Sequence, residues 1–168
     1  MDRSLKLLLR FVDEAFDRTS WHGTNLRGSL RGVSARLAAH RPARGRHNIW
    51  EVTVHAAYWK YAVRRRLTGE KRGSFTLEGS NWFERPEPSS RGARRAKIAP
   101  ADERAWKRDV RLLIDEHRRL RAAIVEFDSR RLFKQLAARY SAAFLIRGIA
   151  AHDLYHAGQI QILKKLGA

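Results

Sequence analysis

Apolar residues recur along this chain every three or four positions, the period of an α-helix rather than of a strand. Leu5, Leu8, Leu9, Val12 and Phe16 mark one face of a first helix over about residues 4–16. Trp21-His22-Gly23-Thr24 breaks the pattern, and Leu26, Leu30 and Val33 resume it in short pieces. Ser34 is the expected cap for residues 35–39, and Pro42 to Arg46 reads as a loop. A second long helix is predicted over 48–68, where Ile49, Val52, Ala56, Trp59 and Val63 keep helical spacing. Asn48 can cap it, Glu51 sits three residues on and can reach back to the cap's amide, and Gly69 is its stop.

Pro100 suits the start of a third helix, along which Trp106, Val110, Leu113, Ile114, His117, Leu120 and Ile124 repeat to about Phe127. Leu132, Phe133 and Leu136 read as a shorter helical piece. The last helix runs over 141–166 and ends at Gly167. No segment alternates as a strand does. Four long helices within one domain, residues 1–168, imply an all-α four-helix bundle.

Residues 69–100 are different. Gly73, Gly79, Pro86, Pro88, Ser89, Ser90 and Gly92 mark a long connection. Antiparallel neighbours usually join through roughly two to eight residues, so a link of about thirty can instead cross the whole bundle. Trp82 and Phe83 within it are expected to pack, with Trp82 buried.

The last helix carries the candidate chemistry. His152 and His156 are four residues apart, so they stand one turn above the other and can reach one ion. They share a stripe with Leu145, Ile149, Gln159 and Leu163 that should face the core, where neutral imidazoles need partners. A metal site needs at least three protein ligands. His55 is the best third candidate, ahead of His22, His40 and His47 near loops and of His117 between Glu116 and Arg118. His55 lies about 11 Å below the start of its helix, and His156 about 15 Å from the end of its own, at 1.5 Å per residue. If the two helices are antiparallel, the levels match within about one turn. The second and third helices are then parallel, which is what the long connection permits. Gln159 and Glu51 share faces with these ligands and could orient them, although Glu51 alone reads equally as a capping partner. Asp153 stands where a metalloprotease helix has its Glu, but it is one methylene shorter and the third ligand lies upstream, which argues against a protease.

Composition narrows the options. The chain has no cysteine, which excludes disulfides, Cys-ligated zinc, iron–sulfur clusters and a Cys nucleophile. Any thiol chemistry must use an external thiol. No apolar stretch approaches the roughly 18 residues of a membrane span, and the Leu7-Leu8-Leu9 run is broken too early for a signal peptide, so a cytoplasmic protein is expected. The net charge is +18, and it comes from arginine, with 27 Arg against 8 Lys. These charges are spread over every segment and follow no helix-turn-helix, finger or aromatic RNA-binding motif. Specific nucleic-acid binding is therefore not expected. A positive field that draws in anionic substrates is.

The segment Ala151-His152-Asp153-Leu154-Tyr155-His156-Ala157-Gly158-Gln159-Ile160 resembles the closing signature of the DinB/YfiT-like family. Residues 47–60, from His47 through His55 to Lys60, resemble its second helix. Trp21-His22-Gly23 and Ser80-Asn81-Trp82-Phe83 also sit where such proteins carry similar pieces. The resemblance implies an up-down-down-up bundle in which His55, His152 and His156 bind one divalent metal. Imidazoles favour zinc or nickel, with iron or manganese next. It also implies chemistry of the family's kinds, metal-dependent thiol S-transfer, thiol-dependent isomerisation or hydrolysis, with a low-molecular-weight thiol as the cofactor or anionic substrate. A non-catalytic metal-binding or nucleic-acid-associated bundle is the alternative. Membrane association is not expected, and a homodimer stays open.

Overall fold

The computed structural model describes residues 2–85, 102–137 and 140–167. Within them the chain forms α1 (Arg3–Phe16), α2 (Leu26–Ser29), α3 (Ala35–Ala39), α4 (Ile49–Thr68), α5 (Glu103–Val125) and α6 (Ala142–Leu166). Side-chain caps set the helix starts. Asp2, Asn25, Ser34, Asn48, Asp102 and Ser141 each accept from a first-turn amide. Asn48 and Glu51 make both bonds of a capping box, and Gly69 closes α4 at φ +76°, a left-handed conformation that favours glycine. α5 is capped by Asp102, two residues beyond Pro100, which with residues 86–99 lies outside the described residues.

The contacts fix the directions of the four long helices. Trp50 Nε1 donates to Asp109 at 2.7 Å, and Arg64, farther along α4, pairs with Glu116, farther along α5, so these helices run parallel. Arg121 holds Asp13 of α1 at 2.9 Å while Phe16 stacks on His117, so α1 runs against α5. His55 meets His156, and Lys60 meets Asp153, so α6 runs against α4. Residues 69–85 double back along α4. Gly73 N donates to Tyr61 Oη, Asn81 reaches His55, and Arg85 pairs with Asp109 near the start of α5.

Two apolar clusters fill the ends of the bundle. One gathers Trp50, Val54, Phe83, Trp106, Leu113 and Ile160. The other gathers Leu5, Leu9, Val63, Leu67, Leu120, Ile124 and Ile146. Between them, at mid-helix, lies a layer of buried polar side chains: Lys60, Glu116, His117 and Asp153. No described helix is long and apolar enough to cross a membrane.

Two local expectations fail. The segment after α5 is not a helical piece around Leu136. A 3-10 turn, Ser129–Arg131, leads into a two-stranded hairpin of β1 (Gln135–Ala137) and β2 (Tyr140–Ser141). Only Leu132 of the apolar trio is buried, and Phe133 is exposed. Trp82 is not buried either. It is 36% exposed, and its neighbour Phe83 fills the core instead, at 6%.

Candidate metal centre

α4 and α6 bring His55, His152 and His156 together, with one ring nitrogen of each inside a sphere of mutual distances no greater than 4.8 Å. His152 Nε2 lies 3.1 Å from His55 Nε2 and 3.1 Å from His156 Nε2. Three nitrogens bound to one tetrahedral ion at about 2.0–2.1 Å would lie about 3.3 Å apart, so the spacing fits an ion at their centre.

The other ring nitrogens say which atoms point inward with free lone pairs. His55 Nδ1 donates to the Asn81 carbonyl at 2.8 Å, and His156 Nδ1 donates to Gln159 Oε1 at 2.7 Å. Both protons are held outward, which leaves both Nε2 atoms bare. Convergent lone pairs repel one another unless a cation or a proton sits between them. His152 Nδ1 is buried and has no hydrogen-bond partner among the described residues.

Burial keeps these imidazoles neutral. It lowers His55 to about 4, with smaller contributions from the His156 and His47 rings. It lowers His152 to about 3, helped by His156, His55 and Lys60. His156 is also lowered by burial, against the opposing bond from Gln159. An ordinary imidazole, at about 6.5, would begin to lose a metal to protons below that value. The buried cluster moves that threshold down. Metal content at equilibrium should persist well below pH 6.5 and fade towards pH 4, and elemental analysis after dialysis at each pH measures it. The same shifts penalise the metal-free fold. Its stability should fall as pH drops from about 6.5, where the unfolded chain begins to take up protons, to about 4 for His55 and about 3 for His152.

An aromatic collar surrounds the cluster. Trp82 stacks on His55 at 3.8 Å and on His47 at 3.6 Å, so its ring is sandwiched between two imidazoles. Trp59 lies 6.3 Å from the His55 ring and 6.1 Å from the His152 ring, and its Nε1 donates to Asn81 Oδ1 at 3.0 Å. Tyr155, largely exposed, meets His156 edge-on at 5.1 Å. Asn81 thus fixes two members of the site, and it does so at φ +65°, a backbone conformation that Asn tolerates better than most residues.

Sequence reasoning misplaced one helper and missed others. Gln159 does meet a cluster imidazole. Glu51 does not: its carboxylate is held by Arg41, by His47 Nδ1 at 3.0 Å and by the Asn48 amide. It reaches His55 only through His47 and Trp82. His22, His40, His47 and His117 lie outside the three-histidine group. Asp153 turns away from the cluster to pair with Lys60, both side chains being essentially inaccessible. Asn81 stands in the Ser80-Asn81-Trp82-Phe83 piece of the resemblance, but nothing in the sequence ties it to His55.

No curated protein and no solved structure matches this chain. A family match does cover most of it: residues 18–160 match the DinB superfamily. With the helical fold and the histidine cluster already in place, that match settles the family, and the chain belongs to the DinB superfamily.

Proposed function

We propose that this protein is a metal-dependent enzyme in which His55, His152 and His156 hold one divalent ion, zinc or nickel first, and that it acts on a small molecule as a thiol S-transferase or a hydrolase. The observation that carries the reading is the convergence of three Nε2 atoms whose partner nitrogens, in His55 and His156, are turned outward by Asn81 and Gln159. Three protein ligands leave at least one position for an exogenous group, as in catalytic rather than structural sites. When bound, the ion supplies Lewis acidity, activating a water or holding a sulfur as thiolate. The chain's own residues do the rest. Asn81 and Gln159 keep the ligand tautomers fixed, and Trp59 and Trp82 shield one side of the cluster from solvent. With no cysteine in the chain, the thiol comes from the substrate or a small cosubstrate.

Elemental analysis of protein purified without a His-tag or added metal should give close to one ion per chain. Metal far below that level, with none taken up on titration, would overturn the reading. Thiolate-to-metal absorption on adding a thiol to the cobalt-loaded protein favours S-transfer. Its absence, with a pH-dependent change in the cobalt spectrum, favours hydrolysis.

A further inference from the structure

The face of α4 that carries His55 continues through Trp59, Ala62 and Arg66, at steps of four, three and four residues. Beyond Trp59 this face borders a small hollow of about 110 Å3, lined by Tyr58, Trp59, Arg65, Arg66 and Arg72 among others. Trp59 is therefore a shared wall. One part of it borders the hollow, and its ring stands about 6 Å from the imidazoles of His55 and His152.

Three guanidinium groups at one small hollow would ordinarily be neutralised by carboxylates. Here they are not. Arg65 and Arg66 are half-buried and Arg72 is exposed, yet among the described residues Arg65 Nη1 donates only to the Glu70 carbonyl at 3.4 Å and Arg66 Nη1 only to the Ala62 carbonyl at 2.8 Å. None of Arg65, Arg66 and Arg72 pairs with a carboxylate among the described residues. Glu70, the acidic side chain closest in sequence, is engaged elsewhere, by Arg64 and by the Ser74 hydroxyl. Two partly desolvated guanidinium groups with donors to spare, and an exposed third beside them, are a ready receptor for a planar or tetrahedral oxyanion. Because Arg66 folds back onto the Ala62 carbonyl, its charged head stands near the level of Ala62. That is seven residues from His55, or about 10 Å along the helix axis.

We propose that this hollow is an oxyanion subsite: Arg65, Arg66 and Arg72 bind a carboxylate or phosphate group of the same small molecule whose other end lies at the histidine cluster, with Trp59 between the two ends. The ligand class is a small anionic molecule with a metal-binding atom at one end and an oxyanion at the other. The proposal rests on the metal reading for the first end only. The second end stands on the arginines.

The test compares 6-mercaptohexanoate with 6-mercaptohexanol on the cobalt-loaded protein, read by thiolate absorption. The carboxylate thiol should bind on the order of tenfold more tightly than the alcohol, the size expected of a charge-assisted contact. The R65Q/R66Q protein should lose that preference while its affinity for the alcohol is unchanged. The R10Q/R130Q protein, which removes the same charge from exposed positions elsewhere, should keep it. Equal affinities in the unaltered protein, or a preference that survives R65Q/R66Q, overturns the subsite and leaves the metal reading standing. Equal loss in R10Q/R130Q also overturns it, because the whole-protein field would then explain the preference. If no cobalt binds, the metal reading fails, and inorganic phosphate titrated into the metal-free protein decides the arginines alone. Binding abolished by R65Q/R66Q supports the oxyanion hollow, and binding indifferent to it overturns it.

Discussion

The His152→Ala protein is expected to fold and to carry no metal. His152 Nε2 lies 3.1 Å from each of the other two Nε2 atoms, so its loss removes the nitrogen that links them. Removing a residue that merely supports a ligand typically weakens metal binding by about 10–100-fold. Removing one of three ligands should cost more, enough to leave the purified protein empty. His55→Ala and His156→Ala should behave alike. His117→Ala is the control: its ring stacks on Phe16 at 3.7 Å, away from the cluster, and that protein should keep its metal. The helices should persist in all three site variants, because α1, α4, α5 and α6 also bury large apolar side chains at both ends of the bundle. Circular dichroism and elemental analysis on the same samples check both halves, and equal metal in the His152→Ala and unaltered proteins would refute the ligand assignment.

The largest loss of stability is expected from Asp153→Ala. Lys60 and Asp153 form an ion pair in the polar layer at the middle of the bundle, both fully enclosed, with the Lys60 ammonium 4.7 Å above the Phe16 ring. Burial pulls both groups towards neutrality. It raises Asp153 to about 6, against the opposing pull of Lys60, and it lowers Lys60 against the opposing pull of Asp153. Removing one partner strands the other without water, which costs about 3–5 kcal/mol. Replacing both with apolar residues of similar size strands neither, and such replacements are often neutral or stabilising. Urea denaturation should therefore show Asp153→Ala badly destabilised and the Lys60→Met/Asp153→Leu double variant restored to near the original stability or above it. A double variant as weak as the single one would mean that the pair's cost lies in packing and not in charge.

These two sites show what the sequence could and could not disclose. α1 and α5 were legible because one apolar face recurs against a polar one, and α4, enclosed nearly all round in its first turns, because Asn48 and Gly69 mark its ends. α6 was harder, because it is apolar on nearly every side. The stripe through Leu145, Ile149, His152, His156, Gln159 and Leu163 is expected to face the core, and Ile149 and His156 do, but the enclosed face is centred on Ile146, Ala150, Asp153, Ala157 and Ile160. The helix is rotated, so His152 sits at the border of the core and Asp153 at its centre. The burial of Lys60, Glu116 and Asp153 gives no sequence signal because a lone charge in a helix ordinarily lies in water. Only the pairing of distant segments shows that these lie inside. The hairpin strands Gln135–Ala137 and Tyr140–Ser141 escaped because runs of three and two residues are too short to reveal an alternating pattern. Trp82 is expected in the core because an exposed Trp-Phe pair is an aggregation liability, whereas its ring is used against His47 and His55.

The histidine cluster also bears on the order in which the chain folds. His55 and His152 are 97 residues apart, and the Asn81 carbonyl that orients His55 comes from a third segment, 26 residues away from it. Contacts of such long sequence separation close late, after local helices have formed, because the chain entropy they cost must be met first. If the three segments meet only after the folding transition state, an ion that needs all of them would find no site there. Such an ion would leave the folding rate almost unchanged and slow unfolding, so a loaded protein would differ from the empty one chiefly in how long it lasts.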